Sequence, residues 1–86
     1  MKHSGWVDGF CIDEAGEIPT TLADHQSSQK NKEDCEDYCM TKTVATGCLY
    51  NKANQYCKAE HLSLQTKTRK DKNRNHICSF IQHGMF

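Results

Sequence analysis

Cys35-Glu36-Asp37-Tyr38-Cys39, followed nine residues on by Cys48-Leu49-Tyr50-Asn51-Lys52-Ala53-Asn54-Gln55-Tyr56-Cys57, decides how this chain folds. Cys35 and Cys39 are four apart, so a helix through them presents both thiols on one face, one turn apart. Asn31 is the N-cap expected for that helix, which spans 32–43. Glu33, Asp34, Glu36 and Asp37 fall in its opening turns, where the positive end of the macrodipole favours carboxylates, and Lys42 lies near the other end. The second stretch reads as a hairpin over 47–59, two short β-prone runs around a polar Asn-Lys-Ala-Asn turn, with Gly47 at its entry. With the turn centred on Lys52 and Ala53, positions whose numbers sum to 105 face each other, and Cys48 lies opposite Cys57 on one face. A helix carrying two thiols then meets a hairpin carrying two thiols. The expectation is a disulfide staple.

Working outward, Cys11 and Cys78 flank this block. Residues 5–12 read as an N-terminal strand, 13–31 as a polar connection, 63–76 as a basic loop and Ile77–Ile81 as a final strand. The fold class expected is α+β: a small disulfide-rich domain over residues 1–86, with a twisted antiparallel sheet packed on one helix. The chain has 86 residues, 36% of them apolar, and a mean hydropathy of −0.83. Such a chain has little core and needs cross-links, and paired cysteines in a chain this short fit a secreted, extracellular protein. No apolar segment follows Met1-Lys2-His3-Ser4-Gly5-Trp6, so the chain reads as a mature form with Met1 an initiator. No stretch has the length of a membrane span, so no membrane insertion is expected. Spacing does not settle the connectivity: six cysteines allow 15 pairings, and nested and parallel joining of the middle four both remain open.

Several stretches match, in order, those of a known family: Gly9-Phe10-Cys11-Ile12-Asp13, Glu33-Asp34-Cys35-Glu36-Asp37-Tyr38-Cys39, Ala45-Thr46-Gly47-Cys48-Leu49-Tyr50-Asn51, Gln55-Tyr56-Cys57-Lys58-Ala59-Glu60 and Ile77-Cys78-Ser79-Phe80. The chain resembles the PAN/apple superfamily. That resemblance implies nested pairs Cys35–Cys57 and Cys39–Cys48 with an outer pair Cys11–Cys78. It also implies a non-enzymatic extracellular module that binds a protein receptor or a glycan. The 63–76 stretch departs from the family in being long and basic, so the resemblance supplies a class and not a ligand.

Formal charge is zero but divided. Residues 1–43 carry nine acids against four lysines, −5; residues 44–86 carry two acids against seven Lys and Arg, +5. Lys67, Arg69, Lys70, Lys72 and Arg74 fall within eight residues, interrupted only by Asp71, and are the candidate ligand-binding residues. They suit an anionic partner such as a sulfated glycan or an acidic protein face. Tyr56, on an exposed sheet face, is the further candidate, while Tyr38 and Phe86 are the other aromatics expected at the surface. Nucleic acid is not expected, because the basic stretch lacks interleaved aromatics.

Metal and enzymatic chemistry find little support. C-x3-C without a second knuckle is not a zinc pattern, and the five histidines read as exposed polar residues. Asp13-Glu14-Ala15-Gly16-Glu17 has calcium-loop oxygens without the calcium-loop order, and reads as a solvated turn. Pairing all six cysteines leaves no thiol nucleophile, and no serine elbow occurs. Neither cofactor nor catalytic residue is expected. The second reading kept open is a free-standing secreted effector, a pheromone, toxin or inhibitor acting on a receptor or channel.

Overall fold

A computed structural model describes residues 2–3, 5–13, 15–18, 21–42, 45–60 and 67–82. Its elements are β1 (Lys2–His3), β2 (Val7–Asp8), β3 (Phe10–Ile12), β4 (Thr21–Ser28), α1 (Lys32–Met40), β5 (Gly47–Asn51), β6 (Tyr56–Glu60), β7 (Lys67–Arg69) and β8 (His76–Gln82). The main sheet runs β1-β8-β5-β6-β4, with β2 also on β8, and every pairing in it is antiparallel. Strands β3 and β7 form a separate two-stranded ribbon. One helix on an antiparallel sheet, held by three disulfides, makes a small α+β domain.

Helix α1 starts where its cap dictates: the Asn31 side chain accepts the Asp34 N–H at 2.8 Å. It ends at Met40, short of the expected 43. Thr41 caps it, with its backbone N–H and its hydroxyl both donating to the Tyr38 carbonyl, at 3.2 and 2.7 Å. A hydroxyl that competes for a helical carbonyl favours the end of a helix over its interior. Lys42 lies beyond the last turn, with its ammonium 5.1 Å from the Tyr38 ring centre.

The hairpin forms with a different register. Cys48 faces Ala59 and Tyr50 faces Cys57, with Asn51 opposite Tyr56 closing a loop of four residues. Side chains within the loop select this length. Asn51 Oδ1 accepts the Ala53 and Asn54 N–H groups, and Asn54 Oδ1 accepts that of Tyr56. Gln55 supplies the left-handed residue, φ 59°. A slip of two residues preserves the alternation of faces, so both cysteines still point at the helix.

All six cysteines are paired: Cys35–Cys57, Cys39–Cys48 and Cys11–Cys78. The middle four thus take the nested arrangement. Their bridges lie in a core between helix and sheet, with Ala45, Tyr50, Ala59, Ile77 and Ile81 around them. On the opposite face Cys11, Leu49 and Cys78 form a second core, flanked by Phe10 and Phe80 under the β3–β7 ribbon. Every cysteine is at most 1% exposed. Among the described residues, six of the twelve buried hydrophobic ones are these cysteines, as expected of a domain too small for a large aliphatic core. Three of them in so short a chain suit an oxidising, extracellular-type environment. Among the described residues, no helix is long and apolar enough to cross a membrane.

Three expectations about strands need correction. The polar stretch 13–31 contains β4, an eight-residue edge strand on β6 with a register shift between Thr21 and Gln26. It is anchored by side chains distant in sequence: the Tyr38 hydroxyl donates to the Asp24 carbonyl, and the Tyr50 hydroxyl to the Gln29 carbonyl. The N-terminal strand is broken at Gly9, where φ is 118° and a Cβ would overlap the Arg69 carbonyl. That turn carries the chain from the main sheet at β2 into the ribbon at β3. The third correction concerns the basic stretch: Lys67 and Arg69 belong to a strand rather than a loop, and positions 63–66 lie outside the described residues.

Candidate functional site

Two of the five predicted cations, Lys67 and Arg69, lie on the ribbon strand β7, and the other three follow in the stretch that leads into β8. In β7, Arg69 faces Phe10 and Lys67 faces Ile12 across the ribbon, so alternation turns both cations outward and Thr68 toward Cys11. Lys67, Arg69, Lys70, Lys72 and Arg74 are all exposed. Lys70, Arg74, Asp8, Gly9 and Asp71 line a hollow of about 330 Å³ beside the break between β2 and β3.

Asp71 is more than an interruption in this basic run. Its Oδ1 accepts the Asn73 N–H at 3.1 Å, and its Oδ2 accepts the Asn75 N–H at 2.9 Å and the His76 N–H at 3.0 Å. The same Oδ2 meets His76 Nδ1 at 2.8 Å, and the carboxylate side chain is 8% exposed. The His76 contact, with help from these backbone amides, holds the carboxyl down at about 2, although burial opposes that. An ionised Asp71 accepts a proton-bearing Nδ1, which leaves the lone pair on Nε2, 3.3 Å from the Asn51 side-chain nitrogen. The acid therefore folds the turn inward, leaving the cations outside. Arg74 closes that turn at φ 54°, with its N–H on the Asp71 carbonyl at 3.0 Å.

A stack joins the turn to the ribbon. The Arg69 guanidinium sits 5.8 Å from the Phe10 ring centre, and Phe10 lies 4.3 Å from the His76 ring. Arg69 thus has a packing role that a solvated cation lacks. His76, read from sequence as an exposed polar residue, is half-buried with both ring nitrogens engaged.

Asp71→Asn is expected to lower the melting temperature at neutral pH. A carboxyl held at about 2 rather than its ordinary 3.8 contributes stability above the ordinary value. That contribution is lost as pH falls through the folded one. Melting curves of parent and variant should therefore converge towards pH 2, and an equal gap at pH 7 and pH 2 would contradict this role.

Tyr56 lies on the open part of the sheet, beside the ribbon. It lines a hollow of about 170 Å³ with Gln26, Leu49, Asn51, Asn54, Lys58 and His76. It is half-buried, with its hydroxyl donating to Gln26 Oε1 at 3.1 Å. Tyr38 is likewise half-buried instead of free at the surface, and Phe86 lies outside the described residues. Nothing in the sequence pattern draws attention to Gln26, Asn54 or Lys58; four strands have to fold before they meet.

Metal ligation can be weighed residue by residue. The sulfurs of Cys35, Cys39, Cys48 and Cys57 gather within 4.8 Å of one another, but they are bonded as two disulfides and offer no thiolate. In the calcium-like stretch, Asp13 Oδ1 accepts the Ala15 and Glu17 N–H groups at 2.9 Å each, as a turn anchor does. His76 Nε2 faces an amide, not a hydroxyl or thiol that it might activate.

The chain matches no family model, no curated protein and no solved structure.

Proposed function

We propose that this chain is a secreted, PAN/apple-like recognition module, non-enzymatic, whose cationic edge binds an anionic partner, with sulfated glycan as the preferred class. One observation carries the reading: Lys67, Arg69, Lys70, Lys72 and Arg74 are exposed together on the ribbon and its turn, while the acid among them is turned inward. With Asp71 turned inward, Asp8 is the exposed acid beside Lys70 and Arg74, and the five cations keep a strong positive excess there. Such a surface concentrates positive potential and raises the encounter rate with polyanions. The ribbon strand holds Lys67 and Arg69 at the two-residue spacing of one strand face, which reduces the ordering cost of binding for those two. The nested bridges between helix and hairpin, the same arrangement the resemblance implied, support the family reading.

Heparin chromatography tests it. The parent should remain bound above physiological salt, with retention falling steeply as salt rises, because screening acts over about 10 Å at 0.1 M. Replacing Lys67, Arg69, Lys70, Lys72 and Arg74 with Gln should abolish retention while the circular dichroism spectrum stays unchanged. The cost to the fold is small, since only Arg69 packs on a ring, a contact worth about 0.5–1 kcal/mol at an exposed site. Elution of the parent below physiological salt, or equal retention of both proteins, would end this reading.

A further inference from the structure

The four sulfurs of the helix–hairpin staple form one cluster rather than two separate bridges. Cys35 is bonded to Cys57 and Cys39 to Cys48. Across the bridges, Cys35 Sγ lies 3.5 Å from Cys48 Sγ, and Cys39 Sγ lies 3.8 Å from Cys57 Sγ. All four fall within 4.8 Å of one another. Helix α1 supplies two of them from one face, and the paired strands β5 and β6 supply the other two. Each half of the cluster is therefore held by its own backbone hydrogen bonds, independently of the S–S bonds.

We propose that in the reduced chain Cys35, Cys39, Cys48 and Cys57 form a closed four-sulfur site for a thiophilic cation of the zinc class, which then holds the helix on the hairpin in place of the two bridges. Three features select this ligand. Zn–S bonds of about 2.3 Å in a tetrahedron set the ligand sulfurs about 3.8 Å apart, close to both cross-bridge distances. With the bridges open, side-chain rotation brings the other two pairs to that spacing on Cα atoms 5.5 and 5.9 Å apart. The donor set is sulfur alone and at most 1% exposed, which suits a soft, structural cation and leaves no open position for water. Finally, each sulfur has a carbonyl within S–H reach: Leu49 for Cys35 at 3.7 Å, Lys58 for Cys39 at 3.7 Å, and Cys35 for both Cys48 and Cys57, at 3.6 and 3.4 Å. The thiols of a metal-free reduced chain thus keep acceptors inside the core until a cation displaces their protons. The second pair of ligands comes from strand pairing and not from a sequence knuckle, which is why the spacing alone argued against zinc.

The site and the bridges are alternatives. Each bridge opens by exchange with a dithiol, which passes it two electrons and two protons and closes to its own disulfide. The cation then displaces the four thiol protons as four metal–sulfur bonds form. The reverse exchange, with an oxidised dithiol, restores the bridges and releases the cation. Cys11 and Cys78 lie in the core on the opposite sheet face and contribute no ligand.

The test is a Co²⁺ titration of the full chain under argon, after reduction with a phosphine, which has no thiol to compete for metal. The visible absorption of tetrahedral cobalt thiolate should saturate at about one equivalent and be bleached by about one equivalent of Zn²⁺. Amides of β5 and β6 should exchange more slowly in the zinc-loaded chain than in the reduced chain without metal. Cys39→Ser/Cys48→Ser should lose the absorption, whereas Cys11→Ala/Cys78→Ala should keep it. No visible absorption in the parent, equal absorption in the Cys39/Cys48 variant, its loss in the Cys11/Cys78 variant, or binding that leaves β5 and β6 exchanging as in the metal-free chain would each overturn the proposal.

Discussion

Replacing Cys11 and Cys78 together with Ala is expected to lower stability by about 4 kcal/mol, the largest loss from any single pair in this chain. The bridge closes a sequence separation of 67 residues, against 22 for Cys35–Cys57 and 9 for Cys39–Cys48. In the chain-entropy account the two shorter loops are each worth about 3 kcal/mol. Even with Cys35–Cys57 intact as a short cut, the outer loop still spans most of the chain. Position adds to length. Both sulfurs are 0% exposed in the core formed with Leu49, Phe10 and Phe80, and they join β3 to β8. The helix–hairpin staple lies on the other face and keeps its own core. Unfolding of the double variant should therefore begin at the ribbon, with amides of β3 and β7 exchanging before those of β5 and β6. Denaturant midpoints and hydrogen exchange measure this directly. A midpoint equal to that of the parent, or to that of a Cys39→Ala/Cys48→Ala variant, would refute the ranking.

The second large effect comes from Glu60. It is 1% exposed, at the end of β6, and its Oε1 has no hydrogen-bond partner among the described residues. Burial pushes its carboxyl up from 4.5 to about 8, with Lys58 offsetting part of the rise. The sign follows from proton counts. Between 4.5 and about 8 the unfolded chain has released this proton while the folded chain keeps it, so stability falls as pH rises across that window. Each tenfold change in proton affinity is worth about 1.4 kcal/mol, which bounds the loss at about 5 kcal/mol by pH 8. Asp71 acts in the opposite sense below its ordinary 3.8. The two together place the stability maximum in mildly acidic solution, near pH 4–5. Glu60→Gln keeps the shape and removes the ionisation. It should raise the melting temperature at pH 8 by about 5 °C or more, change it little at pH 4.5, and flatten the profile between them. A parent profile that rises from pH 5 to pH 8 would contradict the assignment.

Glu60 illustrates what a sequence of this kind conceals. A glutamate five residues from a surface loop reads as solvated, and only its place on a strand between two paired neighbours, with Gly47 on one side and Thr21 on the other, puts it inside. Asp71 is concealed differently. In sequence it dilutes a basic run; in the fold it accepts three backbone N–H groups and a histidine. The acceptor capacity of one carboxylate cannot be assigned until the turn around it has a shape.

What the sequence determined by itself is local. Asn31 caps the helix, the spacing of Cys35 and Cys39 aligns them on its buried face, and Gly47 through Cys57 makes a hairpin. The cations at 67, 69, 70, 72 and 74 are exposed, as their density implies. Each of these follows from residues within a turn or two of one another, where propensity, capping and alternation act without help. Tertiary structure alone decided the rest. The polar stretch before the helix becomes β4 because the Tyr38 and Tyr50 hydroxyls hold it against the free edge of β6. The hairpin slips by two residues because loop side chains bond the loop's own amides, a choice that the alternation of faces leaves open. The hollow beside Tyr56 exists because Gln26, Asn54, Lys58 and His76, up to 50 positions apart, meet on one sheet face. A meeting of that kind has no representation in a linear order of residues until the strands that carry them have paired.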